Sequence, residues 1–123
     1  MASQEMPSSE SIVIENSRSV AFKDLPAPKE GLKPDDVSIL LFYQYVEPDW
    51  TEKEHRAALK KVISIGKAHN IKGRGRCAPE GLNCTLSGNA KDIRNFCYAL
   101  RKWNPIFNET DFKIEDGVPA EKG

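Results

Sequence analysis

A chain of 123 residues is long enough to bury one hydrophobic core and leaves little for a second domain. No apolar run approaches the ~18 residues that a transmembrane helix requires, so we expect no segment to span a membrane. The formal net charge is zero, but residues 53–102 carry twelve basic and three acidic side chains. This basic segment either attracts polyanions or forms an ordinary solvated helix face.

Residues 1–36 are rich in Ser, Pro, Glu and Lys, which is typical of a flexible N-terminal segment. Residues 11–14 (Ser-Ile-Val-Ile) are the one strand-like run in it, and they could pair weakly with a sheet edge. The first ten residues are acidic and lack an apolar stretch, so we expect no signal peptide and a cytoplasmic protein.

The first regular elements are predicted to be a strand and a helix. Residues 38–46 are aromatic, β-branched and almost continuously hydrophobic, which is typical of a central buried strand. Thr51 and Glu54 then match a capping box, in which each side chain satisfies a backbone N–H of the other residue. Apolar residues at helical spacing follow, so we predict an amphipathic helix over about residues 52–69.

A charged hairpin is predicted next. Residues 72–76 read Lys-Gly-Arg-Gly-Arg, which places three cations on alternate positions of one strand. Pro79 and Gly81 favour a tight turn with Glu80 between them. In the strand that follows, apolar residues alternate with polar ones, and the polar set is Asn83, Thr85 and Ser87. The two sets therefore point to opposite faces of a sheet.

A second helix and a last strand complete the pattern. Asn89 can cap a helix with an apolar stripe, Pro105 stops that helix, and a strand begins at Phe112. The order β-α-β-β-α-β predicts an α+β, ferredoxin-like fold with a four-stranded antiparallel sheet and two helices on one face. We expect this domain to cover residues 37–116, and residues 117–123 to be a flexible tail at which a longer protein is truncated.

Two stretches resemble a known family. Residues 40–48 read LLFYQYVEP and residues 71–88 read IKGRGRCAPEGLNCTLSG. Together they resemble the N-terminal domain of rhodanese-like proteins, a family that includes bacterial tRNA uridine hydroxylases, and they are most similar to the plant rhodanese-like proteins. The matching residues are Gly73, Arg74, Ala78, Pro79, Glu80, Gly81, Asn83, Thr85, Ser87 and Gly88. The resemblance covers about residues 37–115.

The resemblance implies a non-catalytic accessory domain. Such domains precede a rhodanese domain in proteins that hydroxylate wobble uridine in tRNA or transfer sulfur, and the catalytic cysteine belongs to the rhodanese domain. It therefore implies no catalytic residue here and assigns no role to Cys77, Cys84 or Cys97. This chain also departs from the family pattern, because Gly75 and Arg76 replace aliphatic strand residues and Cys84 replaces a glycine.

The candidate RNA contacts are Lys72, Arg74, Arg76, Asn83, Thr85 and Ser87. The three cations could bind RNA phosphates, or they could only keep an edge strand from aggregating. The polar row together with Glu80 could read a base or orient a neighbouring domain. Alternatively, Glu80 only occupies the turn and the row lines a solvated sheet face. Tyr43 and Tyr45 could stack on bases or pack in an interface. We assign Pro79, Glu80, Gly81 and Gly88 a structural role in the motif.

Other chemistries find little support in the sequence. His55 and His69 are separated by about 21 Å of helical rise, too far to share a metal, and we expect both to be solvated. We predict free thiols, no cofactor and no metal site, since no Ser-His-Asp, HExxH or P-loop pattern occurs. The fold resembles acylphosphatase, but residues 45–48 occupy the place of its arginine-bearing glycine loop, so we do not expect that activity.

Two functions therefore stay open. In the first, a monomeric module helps a downstream rhodanese domain to hold tRNA or another RNA. In the second, the module docks its open sheet face on a neighbouring domain and contacts no nucleic acid.

Overall fold

The computed structural model describes residues 24–118 of the chain. Its elements are β1 (Val37–Tyr45), α1 (Glu52–Ala68), β2 (Lys72–Ala78), β3 (Gly81–Gly88), α2 (Ala90–Trp103), a 3₁₀ helix (Pro105–Asn108) and β4 (Lys113–Val118). The predicted order β-α-β-β-α-β is confirmed. The strand-like run at residues 11–14 lies outside the described residues.

The four strands form one antiparallel sheet in the order β2-β3-β1-β4. The first and third strands are central, as predicted, and both helices lie on the same face of the sheet. Leu40 and Phe42 of β1 and Leu82 and Cys84 of β3 are buried beneath the helices. The opposite face is open, so the ferredoxin-like architecture is confirmed. Within residues 24–118, no helix is long and apolar enough to cross a membrane.

Both helices begin at the predicted caps. The Thr51 hydroxyl accepts a hydrogen bond from the Glu54 N–H (3.1 Å), and the Glu54 carboxylate accepts one from the Thr51 N–H (2.9 Å). Asn89 caps α2 by accepting from the N–H of Asp92 at 2.7 Å. Each cap satisfies backbone donors that the helix itself cannot, which stabilises the helix by about 1 kcal/mol.

The 3₁₀ helix adds a core residue that the sequence pattern did not predict. Phe107 is fully buried, and its ring packs edge-on against Phe42 with centroids 6.3 Å apart. The ring of Trp103 lies 5.7 Å from that of Phe107. Pro105 therefore ends α2, as expected, but the chain then turns back towards the core.

A buried ion pair joins α2 to β4. Arg94 Nη2 lies 2.9 Å from Asp116 Oδ2, and the two side chains are only 9% and 7% exposed. The Ser38 hydroxyl of β1 also donates to Asp116, at 2.5 Å. Burial alone would raise the pKa of Asp116, but the hydrogen bonds from Arg94, Ser38 and the Lys29 N–H, together with the Arg94 charge, lower it to about 2.

The same pair holds the segment that precedes β1. The Nε–H of Arg94 donates to the carbonyl of Pro26 (2.9 Å), and the Lys29 N–H donates to Asp116 (3.1 Å). Leu25 packs against the core. Residues 25–29 thus contact the folded layers, and β4 extends to Val118. The domain limits at residues 37 and 116 stay predictions.

Candidate nucleic-acid interface

The three cations of β2 occupy alternate positions of the strand, so their side chains point to the same face of the sheet, the one opposite the helices. Lys72 pairs with Ser87, Arg74 with Thr85, and Arg76 with Asn83. Directly paired residues of an antiparallel sheet point to the same face. The six predicted RNA-contact residues therefore form two adjacent rows, one basic on β2 and one polar on β3.

The two tyrosines of β1 continue this surface beyond the polar row. Tyr43 pairs with Asn83 on β3, and Tyr45 lies two residues further along the same face. Their side chains are 62% and 64% exposed, and their ring centroids lie 5.4 Å apart. Their exposure leaves room for a partner to pack against the rings.

We use the name open face for this surface, whose predicted members are Tyr43, Tyr45, Lys72, Arg74, Arg76, Asn83, Thr85 and Ser87. Its character changes across the sheet, from basic at the β2 edge, through polar on β3, to aromatic on β1.

Three further open-face residues were missed by the sequence reasoning. Leu41 of β1 is exposed and pairs with Thr85 on one side and Lys113 of β4 on the other. Glu115 lies two residues beyond Lys113 on the same strand face. Alternation along β1 could have placed Leu41 on the same face as Tyr43 and Tyr45. It was missed because β1 is hydrophobic on both faces, so its sequence shows no clear polar and apolar alternation.

The β2 cations are available to an anionic ligand. Among the ion pairs and side-chain hydrogen bonds of residues 24–118, none engages Lys72, Arg74 or Arg76, and all three side chains are exposed. A shallow depression of about 410 Å³ lies over Arg74, Arg76 and the polar side chains of Asn83 and Thr85. Three unpaired cations on one edge concentrate positive potential there.

The turn between β2 and β3 acts through its backbone. The Val46 N–H donates to the Glu80 carbonyl (2.9 Å), and the Trp50 N–H donates to the Pro79 carbonyl (2.8 Å). Gly81 has φ of 139°, and a Cβ there would lie 2.1 Å from the Gln44 carbonyl oxygen. Only glycine fits this position. The turn therefore anchors the loop that leaves β1, and the Glu80 side chain stays exposed.

Gly88 ends β3 beside the helix layer. It pairs with Ser38, and a Cβ there would lie 3.1 Å from Ile71 and 3.6 Å from Ile93. This tight packing is compatible with the structural role assigned to Gly88.

The three cysteines are free thiols, and none lies on the open face. Cys84 and Cys97 are buried, and burial raises their pKa to about 11 and about 12. Burial also raises the pKa of Cys77, which is half-buried. Raised pKa values disfavour the reactive thiolate. In the part of the chain that the structure describes, no group of three or more His, Cys, Asp or Glu side chains could hold a metal.

His55 is not simply solvated, contrary to the expectation from sequence. It is half-buried, and its Nε2–H donates to the Cys77 carbonyl at 2.7 Å. The contact fastens the start of α1 to the end of β2. The sequence could not indicate it, because the partner is a backbone atom 22 residues away.

The sheet with two helices on one face defines an acylphosphatase-like domain. The sequence profile of the UPF0176 acylphosphatase-like domain family matches residues 37–121. The chain therefore belongs to this family, as the sequence motifs indicated.

Several curated relatives are similar to this chain over the same region. A tRNA uridine(34) hydroxylase of Enterococcus faecalis is 36% identical over 84 residues, which cover 68% of this chain and 24% of the relative. The protein of that name from Streptococcus suis is 33% identical over 81 residues, which cover 66% of this chain and 23% of the relative. The one from Lactococcus lactis subsp. cremoris is 36% identical over 81 residues, which cover 66% of this chain and 24% of the relative. The chain thus spans about a quarter of the length of these relatives.

Proposed function

We propose that this domain binds RNA through its open face, as a non-catalytic N-terminal accessory domain of a longer protein. In that protein, a downstream rhodanese domain would modify the wobble uridine of tRNA or transfer sulfur. The names of the relatives support tRNA as the substrate class, and the quarter-length coverage leaves room for a separate catalytic domain. The observation that carries the proposal is a row of three cations, unpaired within residues 24–118, on the same sheet face as two exposed tyrosines.

In this proposal, the three strands of the open face contact different parts of the RNA. Lys72, Arg74 and Arg76 neutralise phosphates along the β2 edge and release counterions, which supplies affinity without sequence preference. Unstacked bases then lie across the sheet and stack on Tyr43 and Tyr45. The β3 row between them offers hydroxyl and amide groups to sugars and base edges.

The proposed site binds RNA but performs no chemistry on it. The open face carries no cysteine, and its hydroxyls have no histidine beside them to act as a base. The loop after β1 presents the acidic residues Glu47 and Asp49, which are unsuited to holding an acyl phosphate.

The test is tRNA binding at low salt, measured by fluorescence anisotropy. The triple variant Lys72→Ala, Arg74→Ala, Arg76→Ala should bind at least about 30-fold more weakly, at roughly 0.7 kcal/mol per lost contact. Its matched control removes three exposed lysines of α1, Lys53, Lys60 and Lys61, and so changes the net charge equally. Equal loss in both variants, or no binding by the wild type, would refute the proposal.

Interdomain docking is the second candidate function. It is favoured by the exposed apolar side chains of β1, since Leu41, Tyr43 and Tyr45 are unusual on a solvated sheet face. Hydrogen exchange in the longer protein separates the two. Docking predicts that the amides around Tyr43, Asn83 and Thr85 become protected without RNA, whereas RNA binding predicts protection only after tRNA is added.

A further inference from the structure

Within residues 24–118, the outer edge of β2 presents backbone groups that pair with no other strand. The two-residue turn joins Ala78 and Gly81, which close the hairpin as a hydrogen-bonded pair. Alternation from that pair directs the N–H and C=O groups of Gly73, Gly75 and Cys77 away from β3. The contact between His55 and the Cys77 carbonyl agrees with this direction. In the sheet of residues 24–118, β2 is an edge strand, so no other strand pairs with these groups.

An apolar groove lies beside this edge, on the helix side of the sheet. Leu59 and Ile63 of α1 are 40% and 48% exposed, although both belong to the apolar stripe of the helix. They line a groove of about 340 Å³ whose floor includes Gly73 and Gly75 of β2. Neither glycine has a side chain that could reach across the groove towards α1, so the groove stays open along the β2 edge.

The charges around the groove select its partner. Lys67 of α1 lines the groove, and so do Lys72 and Arg76 at the β2 edge. Arg74 lies between Lys72 and Arg76 on the same strand. A second copy of β2 paired at this edge would place like charges opposite each other, which is destabilising. An acidic strand would instead meet opposite charges.

We propose that the β2 edge binds an extended acidic segment of a partner polypeptide as a fifth, antiparallel strand. Its aliphatic side chains, on alternate residues, lie opposite Gly73 and Gly75 and enter the groove beside Leu59 and Ile63. The intervening carboxylates point to the open face, beside the β2 cations. Main-chain hydrogen bonds supply affinity, and the alternating pattern supplies specificity.

This inference does not depend on the proposed RNA function. The groove lies on the opposite face of β2 from the tyrosines, and the two sites share only the three cations. A variant in the groove therefore separates them. Ile63→Asp should weaken binding of the peptide and leave tRNA binding unchanged, so either proposal can fail without the other.

The test uses the full 123-residue chain and a capped seven-residue peptide that alternates Ile and Glu. Peptide binding should slow hydrogen exchange at the amides of Gly73 and Gly75, observed by NMR. N-methylation of the Ile residues blocks the hydrogen bonds that face β2 and should weaken binding at least about tenfold. N-methylation of the Glu residues should leave the affinity within about twofold, because those groups face solvent.

Two controls complete the design. Ile63→Asp should weaken peptide binding at least about tenfold, while Tyr98→Asp, a matched change at an exposed residue of α2, should not. A peptide with Lys in place of Glu should bind far more weakly than the acidic one.

Four results would overturn the proposal. The first is equal affinity of the two N-methylated peptides, and the second is equal binding of the acidic and basic peptides. The third is unchanged affinity of Ile63→Asp. The fourth is protection of the Gly73 and Gly75 amides in the free chain, which would mean that the chain itself, or at high concentration a second copy, occupies the edge.

Discussion

The buried pair of Arg94 and Asp116 makes a quantitative prediction for stability. The substitution Asp116→Asn removes the negative charge and nearly preserves the shape of the side chain. The variant should lose the charge-assisted bonds from Arg94, Ser38 and the Lys29 N–H, all of which converge on this carboxylate. It leaves the guanidinium of Arg94 buried without its counter-charge, which is costly.

The magnitude follows from the pKa of Asp116. The pKa falls from 3.8 to about 2 on folding, so the charged form contributes about 2 kcal/mol to the free energy of unfolding at neutral pH. Since the folded-state pKa is lowered, this contribution is complete above pH 3.8 and is lost as the pH falls through about 2. The uncompensated Arg94 can raise the cost of Asp116→Asn to about 3–5 kcal/mol.

Urea denaturation at several pH values measures this contribution. Wild type and Asp116→Asn should differ by at least about 2 kcal/mol at pH 7, and the gap should narrow as the pH approaches 2. Glu52→Gln is the matched control, because its ion pair with Arg56 is exposed and spans 3.8 Å. This control should change the free energy of unfolding by less than about 1 kcal/mol.

The reasoning on this pair fails in two cases. An Asp116→Asn variant as stable as the wild type at pH 7 would show that the pair contributes no net stability. A gap that stays constant down to pH 2 would assign the loss to packing rather than to charge.

Three further predictions concern β2, the thiols and the domain limit. Gly75→Val should lower the free energy of unfolding by about 1–3 kcal/mol, because its Cβ would lie 2.8 Å from Cys84 Sγ. In a Cys84→Gly background the same substitution should cost at least about 1 kcal/mol less, and a double-mutant cycle with urea unfolding would measure the difference. Iodoacetamide at pH 8 should modify Cys77 before the buried thiols, as peptide mass spectrometry would detect. A chain that begins at residue 37 should be at least about 2 kcal/mol less stable than one that begins at residue 24, because it lacks the packing of Leu25 and the hydrogen bonds of Pro26 and Lys29. Thermal and urea unfolding would measure the difference.

The sequence predicted well those features that arise from local chemistry. The capping box at Thr51 and the cap at Asn89 depend on residues three positions away, and the turn at Pro79–Gly81 depends on glycine geometry. Period-two alternation predicted that Asn83, Thr85 and Ser87 share one face of the sheet, and the observed register places Lys72, Arg74 and Arg76 on that face too. Local rules of this kind can be applied without knowledge of the tertiary fold.

Long-range contacts could not be predicted in the same way. The bond between the Lys29 N–H and Asp116 joins residues 87 positions apart, and nothing local marks either as a partner. The departures from the family pattern at Gly75 and Cys84 also became intelligible only from register. These residues are cross-strand partners, and Cys84 Sγ fills the space that a side chain at position 75 would need.

The salt dependence of tRNA binding tests the central claim most directly. Each phosphate contact on single-stranded RNA contributes about 0.7 to the slope of log K against log salt concentration. Replacing Lys72, Arg74 and Arg76 with alanine should therefore reduce that slope by about 2, while the matched triple variant of α1 should retain the wild-type slope. An unchanged slope in the β2 variant would contradict phosphate binding by the open face.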